Sequence, residues 1–425
     1  MLIRIKGSLV VDPGNINAHK DILIRDGLFY SLIEPGDILT ESNVTVIDAT
    51  GMVTVPGLID LHVHLREPGH EYKETIETGL RAAVRGGFAA VCCMPNTKPV
   101  NDNAQVTAFI LKQAAAAGLA RVYPAGALTL GSKGESLAEY GDMKLAGVAA
   151  LSDDGRPVVN ARLLRRALEY ARGLSLPVMC HSEDLDLAKD GAMNEGITST
   201  RLGIKGIPNA AESICVMRDM AIAELVGAPI HIAHVSAEES VDAIRHAKKR
   251  GIRVTCETAP HYFTLTDEAV ARYDTNAKMN PPLRSARDRD AIIEGLRDGT
   301  IDCIATDHAP HSLLEKDLEF DRAAFGIVGL ETSLPLSLVL VRKGILSMEG
   351  LVEKMAKNPA RILGINNDII PGNPADLTII DPDRIHTIDP DTFASKSRNT
   401  PFAGFKVTGQ TFITMVNGSV VYHRE

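Results

Sequence analysis

Between Pro56 and Gly344 the chain repeats one rhythm, a short apolar run followed by an amphipathic stretch of helical period. The runs fall at 58–64, 88–94, 121–127, 148–153, 176–182, 229–235, 253–258 and 302–307. Helical patterns at 74–86, 103–118, 161–173, 209–226, 239–250, 286–297 and 331–344 follow most of them. Strand–helix units of this number and length predict parallel strands closed into a (β/α)8 TIM-type barrel. An open doubly wound sheet is the alternative. It would usually carry a Gly-rich phosphate loop after a strand, whereas Gly86-Gly87 follows a helix and precedes a strand. The two ends of the chain read as short strands between Gly, Pro and Asn turns, and neither has a core of its own. They are therefore expected to pair into one small β-sandwich domain, 1–54 with 366–425, beside a barrel spanning 55–365.

Catalytic groups of such a barrel gather where its strands end, so ligand-type residues should recur there. The first run, Leu58-Ile-Asp-Leu-His-Val-His-Leu-Arg-Glu-Pro-Gly69, places His62 and His64 two apart, on one face of a strand, with Arg66 in the same parity. The fourth run ends in Ser152-Asp-Asp154, the fifth in His181, the sixth in His234 and the eighth in Asp307. Incidental histidines on a half-buried strand are the bland explanation for the first pair alone. For the whole set, a purely structural barrel would have to bury imidazoles and carboxylates at five strand ends without partners, which is costly.

Imidazole and carboxylate without thiolate suit zinc or manganese at a catalytic site rather than a closed structural one. The ligand count suits two metals: His62, His64 and Asp307 for one, His181 and His234 for the other, with Asp154 placed to bridge them. Such a pair holds hydroxide at neutral pH and polarises a carbonyl. The carboxylate of Asp307, touching both metal and water, is expected to act as general acid/base. His231 has the opposite parity to His234 and is assigned to the helix layer. His261 and His308 lie near the mouth without a clear role.

The remaining totals exclude other classes. A net charge of −9 argues against nucleic acid and anionic membrane surfaces as partners. No apolar run is long enough for a membrane span, and Met1-Leu-Ile-Arg-Ile-Lys6 lacks the form of a signal peptide. Six cysteines without a Cys-x-x-Cys pair read as buried, reduced thiols of a cytoplasmic protein.

Taken together, Asp60-Leu-His-Val-His-Leu-Arg-Glu-Pro-Gly69, Met94-Pro-Asn96, Ser152-Asp-Asp-Gly155, Met279-Asn-Pro-Pro-Leu-Arg284 and Thr306-Asp-His-Ala-Pro-His311 resemble the bacterial type I dihydroorotases of the amidohydrolase superfamily. Pro371-Gly-Asn-Pro-Ala-Asp-Leu377 resembles that superfamily's return into its β-sandwich. The resemblance covers essentially the whole chain. It implies reversible cyclisation of N-carbamoyl-L-aspartate to L-dihydroorotate and water, in pyrimidine synthesis, at two zinc ions bridged by Asp154. It places metal ligands at His62, His64, Asp154, His181, His234 and Asp307, and substrate contacts at His64, Arg66, Asn96, Asn280, His311, Phe325 and Gly326. It also implies a small-molecule substrate, a homodimer and association with another pyrimidine-pathway enzyme.

Hydantoinases and allantoinases open similar rings, but they bridge their metals with a carboxylated lysine. The fourth run here ends Ala149-Ala-Leu-Ser-Asp-Asp154, and Lys144 lies before it. A silent scaffold that binds a partner enzyme is the other alternative; the complete ligand set argues against it. The segment 312–326 after the eighth run is long and charged, and is expected to close over substrate as a lid.

Overall fold

The computed structural model describes residues 2–38 and 43–424. Residues 1, 39–42 and 425 lie outside them, including both outer limits of the expected β domain. The eight barrel strands are Leu58–Val63, Phe88–Cys93, Arg121–Gly126, Ala150–Ser152, Val178–Cys180, Ile230–Ile232, Val254–Thr258 and Cys303–Ile304. They pair in parallel in chain order. The ring is nearly closed. Between the last strand and the first, closure rests on a bridge from Val63 to His308 and on Asp60, whose Oδ1 accepts the backbone N–H groups of His62 and Thr306 at 3.0 and 3.1 Å.

Local sequence explains the surrounding helices. Thr75 and Thr78 form a reciprocal cap on Ile76–Arg85; Asn103 caps Ala104–Ala117, which ends on left-handed Gly118; Asn160 caps Ala161–Gly173; Ser285 and Asp288 cap Ala286–Arg297. Each cap satisfies N–H groups the helix leaves free. Several short helices, among them Tyr140–Ala146 between strands three and four and Ile197–Leu202, have too few turns for a helical period to show in the sequence.

The chain ends form a second, eight-stranded sheet. Its path runs from Ser419–His423 through Lys406–Val416, Leu377–Thr387, Val53–Pro56, Leu2–Asp12 and Ile16–Arg25 to Leu28–Ile33, with Val44–Asp48 pairing Leu2–Asp12. The sheet is joined to the barrel at a close approach. The hydroxyl of Thr378 donates to Gly87 O at 2.6 Å and that of Thr414 to Val84 O at 2.6 Å. Gly87 has φ +94°, and a Cβ there would stand 2.9 Å from Thr411 Oγ1, so this contact requires glycine. We propose that the two ends together make one domain and the barrel the other, with the strand Val53–Pro56 carrying the first end's sheet two residues past the expected boundary at 54. Among the described residues no helix is long and apolar enough to cross a membrane. All six cysteines are buried and unpaired.

Candidate active site

Past Val63 the first strand leaves regular geometry, and His64, Arg66, His234 and Asp307 all sit just beyond strand ends. Arg66, His234 and Asp307 have φ of +62°, +36° and +49°, a conformation that L-residues avoid unless held there. The turn brings each side chain back over the mouth. It also explains one misplaced residue. The parity argument sent His231 outward to the helices because it sits three positions before His234. Regular strand ends at Ile232, so parity does not carry to His234, and His231 points into the barrel instead.

Four imidazoles and two carboxylates meet at the mouth. Asp154 lies at the centre: its Oδ1 stands 3.2 Å from His62 Nε2, 3.7 Å from His181 Nδ1 and 3.5 Å from His234 Nε2, and its Oδ2 stands 3.6 Å from His64 Nε2. Asp307 Oδ1 is 3.2 Å from His64 Nε2 and 3.6 Å from His62 Nε2. Two groups, His62–His64–Asp154 and Asp154–His181–His234, each bring their ligand atoms within 4.8 Å of one another and share Asp154.

The outward nitrogens of three imidazoles are held by acceptors. His62 Nδ1–H donates to Glu257 Oε1 at 2.8 Å, His64 Nδ1–H to Asn96 Oδ1 at 2.9 Å, and His181 Nε2–H to Glu183 Oε2 at 3.3 Å. Fixing the proton on the far nitrogen turns a lone pair toward the centre. His62 Nε2 and Asp154 Oδ1 are buried there without a hydrogen-bond partner, and His181 Nδ1 faces His234 Nε2 at 2.8 Å. These lone pairs and carboxylates require positive charge between them. Burial opposes a charged His62, but Asp154 and Glu257 outweigh it and hold the imidazole well above the usual range; His181 is likewise pushed up to about 10, against burial, by Asp154 and Glu183. Asp154, despite burial, is held well below the usual carboxylate range by His62 and its other imidazole neighbours. Divalent cations fit this donor set, and would replace those protons.

Beside the cluster opens a cavity of about 270 Å3 lined by His64, Arg66, Asn96, Asn280, His311, Phe325 and Gly326 along with ligand-type residues. The structure thus brings together every residue named for substrate contact. Arg66 Nε donates to Pro310 O at 3.2 Å, and its Nη2 lies 3.3 Å from His311 Nε2. Burial draws the guanidinium down to about 10, with Asp307 and Asp154 acting the other way, so it stays cationic at neutral pH. Asn96 and Asn280 have second tasks: Asn96 orients His64, and Asn280 Nδ2 donates to Glu183 Oε1 at 3.0 Å while its Oδ1 is buried and free.

The segment 312–326 is more firmly held than its composition suggested. Lys316 is buried, and its Nζ donates to the carbonyls of Ala324, Gly326 and Lys278 at 2.8, 3.0 and 3.3 Å. Lys278 Nζ donates to Phe320 O and Asp321 O at 2.8 and 3.0 Å, and Asn399 Nδ2 holds Gly326 O at 3.0 Å. His308 serves this architecture too: its Nδ1 accepts Gly329 N–H at 3.1 Å, and its Nε2 lies 3.3 Å from Glu74. His261 is buried, its Nε2 unpaired, and burial draws it down to about 4.

Glu257 and Glu183 were missed from the sequence. Glu257 left a signal, a lone carboxylate inside an apolar strand, which a barrel interior tolerates only with a partner. Its partners are His62 and His231, whose Nε2 is 3.2 Å from Glu257 Oε2. They draw the carboxyl down to about 2 against the effect of burial.

The Dihydro-orotase-like family model matches residues 51–240. The chain is 72% identical over 425 residues, all of both chains, to a dihydroorotase of Desulforapulum autotrophicum. It is 56% identical over 426 residues, again all of both, to one of Geobacter metallireducens. Among solved structures, L-hydantoinase (dihydropyrimidinase) from Arthrobacter aurescens superposes with a TM-score of 0.88 at 27% identity, over 99% of this chain and 96% of that one. Dihydropyrimidinase from Brevibacillus agri shares the fold, with a TM-score of 0.83 at 23% identity, over 100% of this chain and 95% of that one.

Proposed function

The chain belongs to the dihydroorotase family, and from that premise we propose how its buried His/Asp cluster serves the reaction. The enzyme is a cyclic amide hydrolase that interconverts N-carbamoyl-L-aspartate and L-dihydroorotate in pyrimidine synthesis. His62, His64 and Asp307 would hold one metal ion, His181 and His234 a second, and Asp154 would bridge them. The observation that carries this reading is that Asp154 belongs to both ligand groups. Zinc suits the imidazole and carboxylate donors. Bound there, the ions supply Lewis acidity toward the amide carbonyl and ionise water near neutral pH.

The chain's own residues supply the rest. In the hydrolytic direction water adds to the ring amide carbonyl, the C–N bond breaks, and the departing nitrogen needs a proton. Asp307 takes a proton from the water and delivers it to that nitrogen; in ring closure it does the reverse. Burial raises the Asp307 carboxyl, but His64 and His62 outweigh this and keep it below the usual range, so it begins the hydrolytic cycle as the base. Arg66 clamps the carboxylate outside the reacting ring, because a guanidinium fork matches carboxylate geometry. Asn96, Asn280, His311 and the Phe325–Gly326 backbone complete the substrate cavity. The homodimer and the pathway partner are carried by the family resemblance.

Turnover of carbamoyl aspartate by the purified protein, before and after chelation, with metal content measured alongside, tests substrate and centre together. Activity should vanish with the metal and return with zinc. Asp154→Ala should lose metal from one or both positions. Activity should not depend on bicarbonate, since no lysine needs carboxylation. A carboxylated lysine in density at the bridge would refute this assignment.

A further inference from the structure

A cavity of about 500 Å3 lies at the opposite end of the barrel, where strands five, six and seven begin. Its floor is apolar: Leu176, Pro177, Val178, Pro229, Ile230 and Val254. Its charged lining consists of Arg172, Arg253 and Arg361, and no carboxylate lines it. That is unusual in a chain of net charge −9.

Arg172 and Arg253 converge on one turn. Arg172 Nη1 donates to Val226 O at 2.7 Å, and Arg253 Nη2 donates to the neighbouring Gly227 O. These carbonyls end the helix Ala210–Val226, so the guanidiniums cover its negative pole. Each contact occupies one of five guanidinium N–H groups. Neither arginine has a carboxylate partner among the described residues. The nearby Glu224 is engaged by Arg250 at 2.7 and 2.8 Å, and Arg361 by Glu353 at 3.0 Å. Both arginines are exposed, and an oxyanion spanning the adjacent carbonyls they hold would offset the repulsion between their like charges. On the same wall, the hydroxyl of Thr255 pairs with His231 Nδ1 at 2.9 Å.

We propose that this cavity binds a small ring-bearing oxyanion, a phosphate or carboxylate carried on a flat apolar body. The ring lies on the apolar floor and the oxyanion bridges Arg172 and Arg253. The volume falls within the usual range of small-molecule sites, and the split between an apolar floor and a cationic rim calls for a ligand of the same split character.

The test is calorimetric titration of the intact, metal-loaded enzyme with phenyl phosphate, benzoate, inorganic phosphate and phenol. A ring-bearing anion should bind at least about tenfold more tightly than inorganic phosphate or phenol, since each of these satisfies only half of the site. Comparison of phenyl phosphate with benzoate identifies the preferred oxyanion. The Arg172→Gln/Arg253→Gln double variant should weaken binding by about tenfold or more, while it remains folded at the assay temperature and its turnover of carbamoyl aspartate stays close to wild type. Binding should persist in Arg66→Met, which separates this cavity from the active site. Three results would each overturn the proposal: ring-bearing anions binding no better than their halves, a well-folded double variant binding as wild type does, or binding lost with Arg66.

Discussion

The two ends of the barrel are made from the same strands and hold charge in opposite ways. At the mouth, Asp154 and Asp307 are buried among four imidazoles, in a donor set that divalent cations fit. At the other end the cavity floor is apolar, and its charge stands as exposed guanidiniums on the rim. The difference follows from how strands end and begin. Residues beyond the C-terminal ends fold back over the axis through strained positions such as Asp307, so their side chains converge. At the N-terminal ends the long side chains of Arg172 and Arg253 reach across to cap a neighbouring helix, Ala210–Val226. One line of groups joins the two regions. His231 lines the lower cavity and approaches Glu257, which holds His62 at the upper site.

Loss of the acid/base at the mouth should have the largest effect. Asp307→Asn should fold normally and lose about two to four orders of magnitude in turnover. Metal analysis must accompany the assay, because near-normal turnover with metal bound would remove Asp307 from its role. No single change at the lower cavity should approach this.

Glu257→Gln probes the connection between the ends. If Glu257 fixes the His62 tautomer, zinc affinity should fall by about tenfold to a hundredfold, read by competition with a chromogenic chelator. Glu74 is an equally buried carboxylate that pairs with His308 and hydrogen-bonds none of the cluster's side chains. Glu74→Gln should lower the melting temperature and leave zinc affinity intact. If both variants lose zinc equally, the effect is general loosening rather than orientation.

Arg66→Met should lower kcat/KM for dihydroorotate about tenfold to a hundredfold, the worth of a charge-assisted hydrogen bond of about 1.5–3 kcal/mol. Any activity on uncharged dihydrouracil should fall far less. Arg66→Lys should recover part of the loss, since an ammonium cannot make the forked contact. An equal fall on both substrates would mean that Arg66 supports the site rather than reading the carboxylate.

The smallest catalytic effect is expected from Lys316→Met. It leaves three carbonyls without their ammonium, so hydrogen exchange across 312–326 should accelerate about tenfold or more, corresponding to about 1–3 kcal/mol of local stability. KM should rise with little change in kcat. Exchange as slow as in wild type would show that the other tethers suffice. Protection that is already high without substrate would mark the segment as a fixed wall rather than the lid expected from its length and charge.

The barrel was legible because period is a local property. Apolar runs and helical stretches repeat in the chain itself, and the observed strands begin within about two residues of the expected ones. Ligand candidates were legible because imidazoles and carboxylates recur at the strand ends, although the first strand stops at Val63 and its parity does not carry to His64. His231 was misread because parity holds only while the strand lasts, and the left-handed turn at His234 lies beyond it.

Sequence alone thus determined the alternation of elements, the kinds of donor at each strand end and the placing of Arg66 two residues after His64. All of these are set by neighbours within a few positions. Tertiary structure decided which groups share a partner. Asp154 is central because strands one, five and six deliver imidazoles to it from positions far apart in the chain. Glu257 orients His62 across 195 positions, and Lys316 is caged by carbonyls that only the folded loop assembles. The pairing of the two chain ends into one sheet, and the meeting of Arg172 with Arg253 on a single turn, are contacts of the same long-range kind. Closing the barrel creates them, because only then do burial and the demand for partnered charge act on residues that sequence distance keeps apart.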